Sequence, residues 1–314
     1  MEKVLKPRRG KSRYLIITLI IIIVIILMTP IMFMIKTSIT PWAEIKNPTN
    51  LNFTPSIGSY IRIFFTRVTM PPDKNLSTDE YNDLKWYEKI VYDETHELIT
   101  RTGDMPIRFL NSIIISVSST IITIIFATMS AYAFSRFKLR GKEDIMFMIL
   151  STRMLPPVVA LIPIFLMYNA LKLSDTHIGI ILLYVVFNIS FAIWVLKGFI
   201  DEIPREYEEA AMVDGYSRFQ TFYKVVIPQA VTGITATAVF VFIYCWNEYA
   251  FVLVLTNRVA QTVPAWLPYQ WGSLGLDWGA LAAGGLIFII PVMILTILLR
   301  KKLIRGITFG AIRK

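Results

Sequence analysis

The chain has 314 residues, 55% of them hydrophobic and only 17% charged, with a formal net charge of +10. A soluble domain carries about 25% charged residues and no unbroken apolar run of about 20, so these proportions exclude an ordinary soluble protein and indicate a polytopic membrane protein. A lone cysteine, Cys245, excludes an internal disulfide and a thiolate metal site, and two isolated histidines, His96 and His177, exclude the usual zinc and general-base clusters.

The first stretch, MEKVLKPRRGKSR, is basic and leads into an apolar run, Tyr14–Ile35. That run is longer than a secretory h-region and no small-x-small cleavage site follows it, so it is read as a retained first span. Gly10-Lys11-Ser12 has the tail of a phosphate-binding loop, but position 5 is Leu5 where that loop needs glycine. No strand precedes it either, so nucleotide binding is not assigned there. The next segment, Lys36–Pro106, is long and lies between the first two spans. Within it Ser77 and Glu80 have capping-box spacing, and Leu84, Tyr87, Val91 and Leu98 recur at helical intervals. One amphipathic helix on the outer surface is predicted. Two roles stay open for it, an interfacial helix or a docking surface for an external partner.

The second span is predicted at Phe109–Phe134. Ser112, Ser116, Thr120, Thr123, Ala127 and Ala131 form a small-residue stripe along it, suited to close packing against the chain's own core or a second subunit. The third span, Ile145–Tyr168, contains Arg153 just before Pro156-Pro157, with Pro163 beyond. An arginine at that depth is costly in lipid and faces protein or a cavity, and the prolines free backbone carbonyls nearby. Glu248 is a tempting partner, but its depth in the fifth span differs from that of Arg153 by about 16 Å at 1.5 Å per residue. A direct pair is therefore not expected. A pathway or gating role for Arg153 stays open beside a structural contact with second-span hydroxyls such as Thr128. The fourth span, Ile178–Phe199, carries Asn188 as a further pathway candidate.

Between the fourth and fifth spans the chain reads EYEEAAMVDGYSRFQTFYKVVIPQA, too charged for hydrocarbon. Pro204 can open a helix, because its missing N–H would be unpaired there anyway. Glu206, Glu208 and Glu209 then lie where the helix dipole favours negative charge. Ala210 and Ala211 are small enough for close approach of another surface, and Gly215 is placed to end the helix in a left-handed conformation. Phe219, Phe222, Tyr223 and Val226 predict a second amphipathic helix, closed by Pro228. The result is a helical hairpin lying along the membrane surface.

The fifth span, Gln229–Leu255, includes Asn247 and Glu248 within Trp246–Tyr249 as pathway or packing candidates. A loop with Trp266, Trp271 and Trp278 follows, read as interfacial anchors or a contact surface. The sixth span is Ala280–Leu299. Basic residues cluster before the first span, at Arg136, Lys138, Arg140 and Lys142, at Arg205, Arg218 and Lys224, and after the last span. By the positive-inside rule both termini and the helical hairpin are cytoplasmic.

Glu209-Ala210-Ala211, then Gly215, then Val225-x-Ile227-Pro228 resembles the EAA signature of bacterial ATP-binding-cassette (ABC) importer permeases, with conservative departures at Val225 and Ile227. FLNSIIIS, AYAFSRFKLRG, WNEY and the terminal LIRGITFGAIRK are similar to the carbohydrate-uptake branch, to the six-span subunit of maltose and glycerol-phosphate importers. The resemblance implies an all-α, six-span type I importer permease in the bacterial inner membrane. Its plan is a basic tail at 1–13, a first span at 14–35, an extracytoplasmic segment at 36–108, a core at 109–300 with the coupling segment at 201–228, and a cytoplasmic tail at 301–314. The long outer insertion between about Pro71 and Asp104 departs from the family pattern.

The same resemblance implies that Glu209, Ala210, Ala211, Asp214, Gly215 and Pro228 form the element that couples to the ATPase. Arg153, Asn188, Asn247 and Glu248 remain the candidate translocation pathway. The implied partners are a second homologous permease, a dimer of ABC ATPases and an extracytoplasmic solute-binding protein, with no nucleic acid. This chain should bind no cofactor and no metal and carry no catalytic residues, ATP and Mg residing on the ATPase. The alternative is a stand-alone secondary transporter of a small solute. Inverted repeats and embedded ionisable pairs would mark such a protein, and neither is evident.

Overall fold

The computed structural model describes residues 11–45, 52–71, 75–154, 156–272 and 275–309. The basic tail up to Gly10 and the end of the predicted C-terminal tail lie outside the described residues, as do positions 72–74 of the predicted outer insertion. The chain is predominantly helical and divides into two compact units, 1–104 with 269–287, and 105–268 with 288–314. Among the described residues five helices are long and apolar enough to cross a membrane: Tyr14–Ile39, Met105–Arg136, His177–Asp201, Arg218–Asn247 and Trp278–Arg300. A bent pair, Lys142–Met154 with Pro157–Ala170, makes a sixth if it is counted as one span.

In the first unit α1 (Lys11–Ile39) is apolar on every side and leaves Leu15, Ile20, Ile25 and Leu27 exposed, as a lipid-facing helix must. After α2 (Trp42–Ile45) and α3 (Gly58–Phe64), strand β1 (Phe65–Thr69) pairs antiparallel with β2 (Glu97–Thr102), with a bulge between Thr66 and Arg67. The predicted outer helix is two helices, α4 (Thr78–Asp83) and α5 (Trp86–Thr95). The capping box forms as read, Ser77 N donating to Glu80 Oε2 at 2.9 Å. Leu84, however, is extended, and Lys85 N donates to Glu88 Oε2 at 2.8 Å, which restarts the helix. Val91 is fully buried in α5, while Leu98 belongs to β2.

Five ionised side chains hold this unit together. Arg62 Nε donates to Asp277 at 2.9 Å, Arg67 Nη1 to Asp277 at 3.0 Å and to Glu97 at 2.7 Å, and Arg62 also pairs with Glu94. Asp277 at the same time accepts from Ala280 N at 2.9 Å, capping the last helix, α15 (Trp278–Phe309). β3 (Trp271–Gly272) and β4 (Gly275–Leu276) form a second short ribbon.

The second unit is built on α6 (Met105–Arg136), α9 (His177–Asp201) and α12 (Ile227–Asn247), which pack against one another. Ser112, Ser116, Thr123, Ala127 and Ala131 are buried, so the small-residue stripe faces the chain's own core. Ser119 Oγ reaches the Ile181 carbonyl of α9, a contact only a small side chain permits. The predicted third span is divided into α7 (Lys142–Met154) and α8 (Pro157–Ala170). Two consecutive prolines explain the division, since each lacks an N–H and each disfavours helical backbone at the residue before it. The predicted fifth span also ends early. α12 stops at Asn247, Glu248 is extended at ψ 128°, and separate helices α13 (Ala250–Leu255) and α14 (Val263–Trp266) follow.

Candidate functional site

The predicted helical hairpin is formed by α10 (Glu206–Val213) and α11 (Arg218–Thr221). Its first helix begins two residues after Pro204 and carries Glu206, Glu208 and Glu209 in the first turn. Its end is a Schellman turn: Gly215 N donates to Met212 O at 3.1 Å and Tyr216 N to Ala211 O at 3.0 Å. Gly215 has φ +91°, the left-handed backbone that glycine adopts without a Cβ penalty. The second helix opens on a capping box between Ser217 and Gln220, at 2.8 and 3.3 Å.

Pro228 does not close that helix, contrary to expectation. A π-helical turn, Phe222–Val226, runs from α11 straight into α12, and Pro228 sits in the first turn of α12. Ile227 N donates back to Phe222 O across the widened turn. The widened turn carries the helix past a proline that offers no N–H of its own.

The hairpin has two faces. Glu209, Ala210, Asp214, Gly215 and Pro228 are exposed, beside exposed Tyr207, Val213, Phe219 and Tyr223. Glu208, Ala211, Thr221, Phe222 and Val226 are buried, and the Phe222 ring lies 4.8 Å from that of Tyr132 on α6. Ala211 thus packs inward while Ala210 is free. Glu208 was read from sequence only as a dipole-favoured carboxylate, and Arg136 only as a topology charge. The structure pairs them: Arg136 Nε donates to Glu208 Oε1, and Tyr132 OH to Glu208 Oε2 at 3.0 Å. The one available signal was the three-residue spacing of Glu208 from the small Ala211, which puts both on one side of α10.

At membrane depth the candidates are partly assembled. Arg153 Nη1 donates to the Phe187 carbonyl at 2.6 Å and approaches Asn188 Oδ1 at 3.4 Å, all three on α7 and α9. Its guanidinium lies 5.3 Å from the Phe191 ring and 4.9 Å from that of Tyr244. Thr128 is not its partner, since that hydroxyl donates to Ile124 O. Among the described residues no carboxylate lies within ion-pair distance of Arg153. Asn188 is buried and donates to Tyr184 O at 2.8 Å, while Tyr184 OH donates to Glu248 at 3.0 Å. Glu248 also accepts from Phe251 N at 2.9 Å, filling the break between α12 and α13. Arg153, Asn188 and Glu248 therefore belong to one chain of contacts without a direct Arg–Glu pair. Asn247 stands apart, exposed and bonded to its own helix at Ile243 O. Trp246 is buried, stacks on Phe288 at 4.8 Å and donates to its carbonyl, a packing role.

A groove of about 680 Å³ between α7 and α9 is lined by Lys142, Met146, Leu150, Trp194, Lys197 and Gly198. It ends one helical turn from Arg153 and Phe191, its neighbours on the same two helices.

At the other end of the second unit Asp175 closes a turn by accepting from the backbone N–H groups of Asn257, Arg258, Val259 and Ala260 at 3.0–3.1 Å. Burial pushes the Asp175 carboxyl upward, but those four donors outweigh it and hold it below the ordinary value. Asn111 binds the carbonyls of Val259 and Gln261 and also meets His177 Nε2 at 2.8 Å, so this histidine serves the same loop clamp.

Residues 120–308 match the family described as binding-protein-dependent transport system inner membrane component. The trehalose transport system permease protein SugB of Mycobacterium tuberculosis is 34% identical over 239 residues, covering 75% of this chain and 87% of SugB. The diacetylchitobiose uptake system permease protein DasC of Streptomyces coelicolor is 30% identical over 229 residues, covering 73% and 83%. A solved bacterial ABC transporter involved in import of the acidic polysaccharide alginate superimposes with a TM-score of 0.67 at 21% identity. That likeness covers 94% of this chain and 99% of the solved one and concerns the fold.

Proposed function

The chain belongs to the family of binding-protein-dependent transport system inner membrane components, and we infer from this and from the cytoplasmic hairpin how it works. It is a permease subunit of an ABC importer, a transport component and not an enzyme. Its solute is a sugar, a polyol or a related small molecule, in keeping with what SugB and DasC are named for. Both termini are cytoplasmic by charge, which places the hairpin on the ATPase side. A second permease, a pair of ATPase subunits holding ATP and Mg, and an external solute-binding protein complete the importer.

The observation that carries this reading is the hairpin's outward face. Glu209, Ala210, Asp214 and Gly215 are exposed on a short element stiffened by a Schellman turn and a capping box, among exposed Tyr207, Val213, Phe219 and Tyr223. Exposed apolar side chains around small and acidic ones at the water side suit a protein partner. The partner's closure then shifts the permease between inward-open and outward-open populations. Arg153, Asn188 and Glu248 are proposed to line or gate the solute path. Arg153 supports this best, because it is half-buried, without a carboxylate partner among the described residues, and next to the α7–α9 groove.

The test is an affinity pull-down from native membranes in mild detergent, comparing wild type with Glu209→Lys, followed by partner identification and ATPase assay. Wild type should bring down a second permease and an active ATPase, and the variant should keep the permease and lose the ATPase. A wild-type chain that comes down alone would favour the stand-alone carrier. Normal ATPase binding by the variant would remove the hairpin from the interface.

A further inference from the structure

We propose that the buried Arg136–Glu208 pair is a positioning element that carries displacement of the coupling hairpin into α6, separate from the surface that meets the ATPase. The proposal rests on the reading of α10 as the ATPase-docking helix and adds how its motion leaves it. Both side chains are 7% exposed, unlike the surface Lys197–Asp201 pair at 22% and 41%. Glu208 uses both oxygens, one for Arg136 Nε and one for Tyr132 OH at 3.0 Å, and both donors lie on the last turns of α6. Arg136 donates further to Ile203 O at 2.8 Å and to Ser135 Oγ at 2.9 Å, and Ser135 Oγ in turn donates to Asp201. Arg205 Nη2 closes the set on the Ser135 carbonyl at 3.2 Å. One guanidinium thereby ties the end of α6 to the end of α9 and to the first turn of α10.

A desolvated ion pair is a poor means of simple stabilisation, since a well-packed apolar pair does as well or better. What it adds is direction, because a guanidinium and a carboxylate with fixed hydrogen bonds resist sliding where apolar surfaces slip. Besides the chain that leads back to α9 and the Arg205–Ser135 contact, the hairpin has two links to the rest of the second unit. One is continuous backbone, through the π turn into α12. The other is this pair, supported by the Phe222–Tyr132 ring contact. Glu208 is buried and its neighbour Glu209 exposed on α10, so the inward link can be cut while the outward surface is kept.

The experiment uses the whole importer in vesicles, with Glu208→Ala, Arg136→Ala and the double variant, beside Glu209→Lys. Two quantities are read, ATPase retained on the purified complex and solute taken up per ATP hydrolysed. The inward variants should retain the ATPase while the transport ratio falls about fivefold or more, the low end of an allosteric coupling. The double variant should lose no more than either single one, the sign of a shared link. A lower yield of folded complex leaves such a ratio unmoved, which separates transmission from mere stability. Should the alanine variants fail to assemble, Glu208→Gln keeps the shape and the tyrosine bond and should move the ratio in the same direction. An unchanged ratio in an assembled complex overturns the proposal. Loss of ATPase binding by the inward variants also overturns it, because the pair would then serve docking. Retention by Glu209→Lys instead refutes the docking reading itself.

Discussion

Replacing Gly215 isolates a single physical quantity in the α10–α11 hairpin. A Cβ built on Gly215 meets no atom within 4 Å, so Gly215→Ala introduces no clash. What remains is the backbone, held at φ +91°, where an L-residue pays about 1–2 kcal/mol. The turn can escape that strain only by giving up its two Schellman bonds, each worth about 1 kcal/mol net. The cost is therefore bounded near 2 kcal/mol, roughly a 5–30-fold shift toward the open turn. Hydrogen exchange at the Tyr216 amide, which donates to Ala211 O, reports that opening directly. Protection should fall in the order glycine, asparagine, alanine, valine, because asparagine tolerates the left-handed region and β-branching worsens it. Alanine with wild-type protection, or asparagine no better than alanine, would refute backbone conformation as the reason for glycine here.

Three other substitutions probe different forces. Gly233→Ala places a Cβ 2.3 Å from Cγ of Phe199, so α9 and α12 must shift at a cost of about 1–3 kcal/mol; thermal unfolding should show it, and Phe199→Leu in the same chain should recover part of it. Asp277→Ala leaves Arg62 and Arg67 short of a shared partner and uncaps α15, costing the first unit about 3–5 kcal/mol; limited proteolysis of that unit should become faster, and an unchanged rate would show that the arginines repair themselves. Asp175 has a depressed carboxyl, so its contribution is fully present above its ordinary value of 3.8 and is lost as pH falls through the lower folded-state value. Exchange at the amides of residues 257–260, corrected for intrinsic rate, should rise in that acid window. Asp175→Asn should raise it at neutral pH, by about 1 kcal/mol after screening at this partly exposed site, and remove the acid dependence.

Much of the hairpin was legible because its rules are local. The equally local box of Ser217 and Gln220 was found only in the structure, whereas Gly215 after Val213 and Asp214, and acidic residues in the first turn of α10, were read from groups within one or two turns of helix. The same holds for the six apolar stretches, which answer to length and hydropathy alone. Prolines were legible only in part. Pro156 and Pro157 divide a span that hydropathy read as one, whereas Pro228 passes inside a continuous helix because a π turn precedes it. Pattern shows where a proline stands, while its effect depends on whether neighbouring turns can widen.

Hydropathy and spacing by themselves determined that this is a multi-span helical protein with a helix–glycine–helix element between its fourth and fifth apolar stretches, and the EAA-like motif supplied the resemblance to an importer permease. Only the tertiary structure decided which of three neighbouring glutamates turns inward, that Arg153 rests on α9 between Phe191 and Tyr244, and that Arg62 meets Asp277, 215 residues away. Helix periodicity and hydropathy are sums over neighbours along the chain, so they survive in one dimension. The partner of a buried charge is chosen by which elements approach in space, where desolvation leaves it no tolerable alternative to being paired.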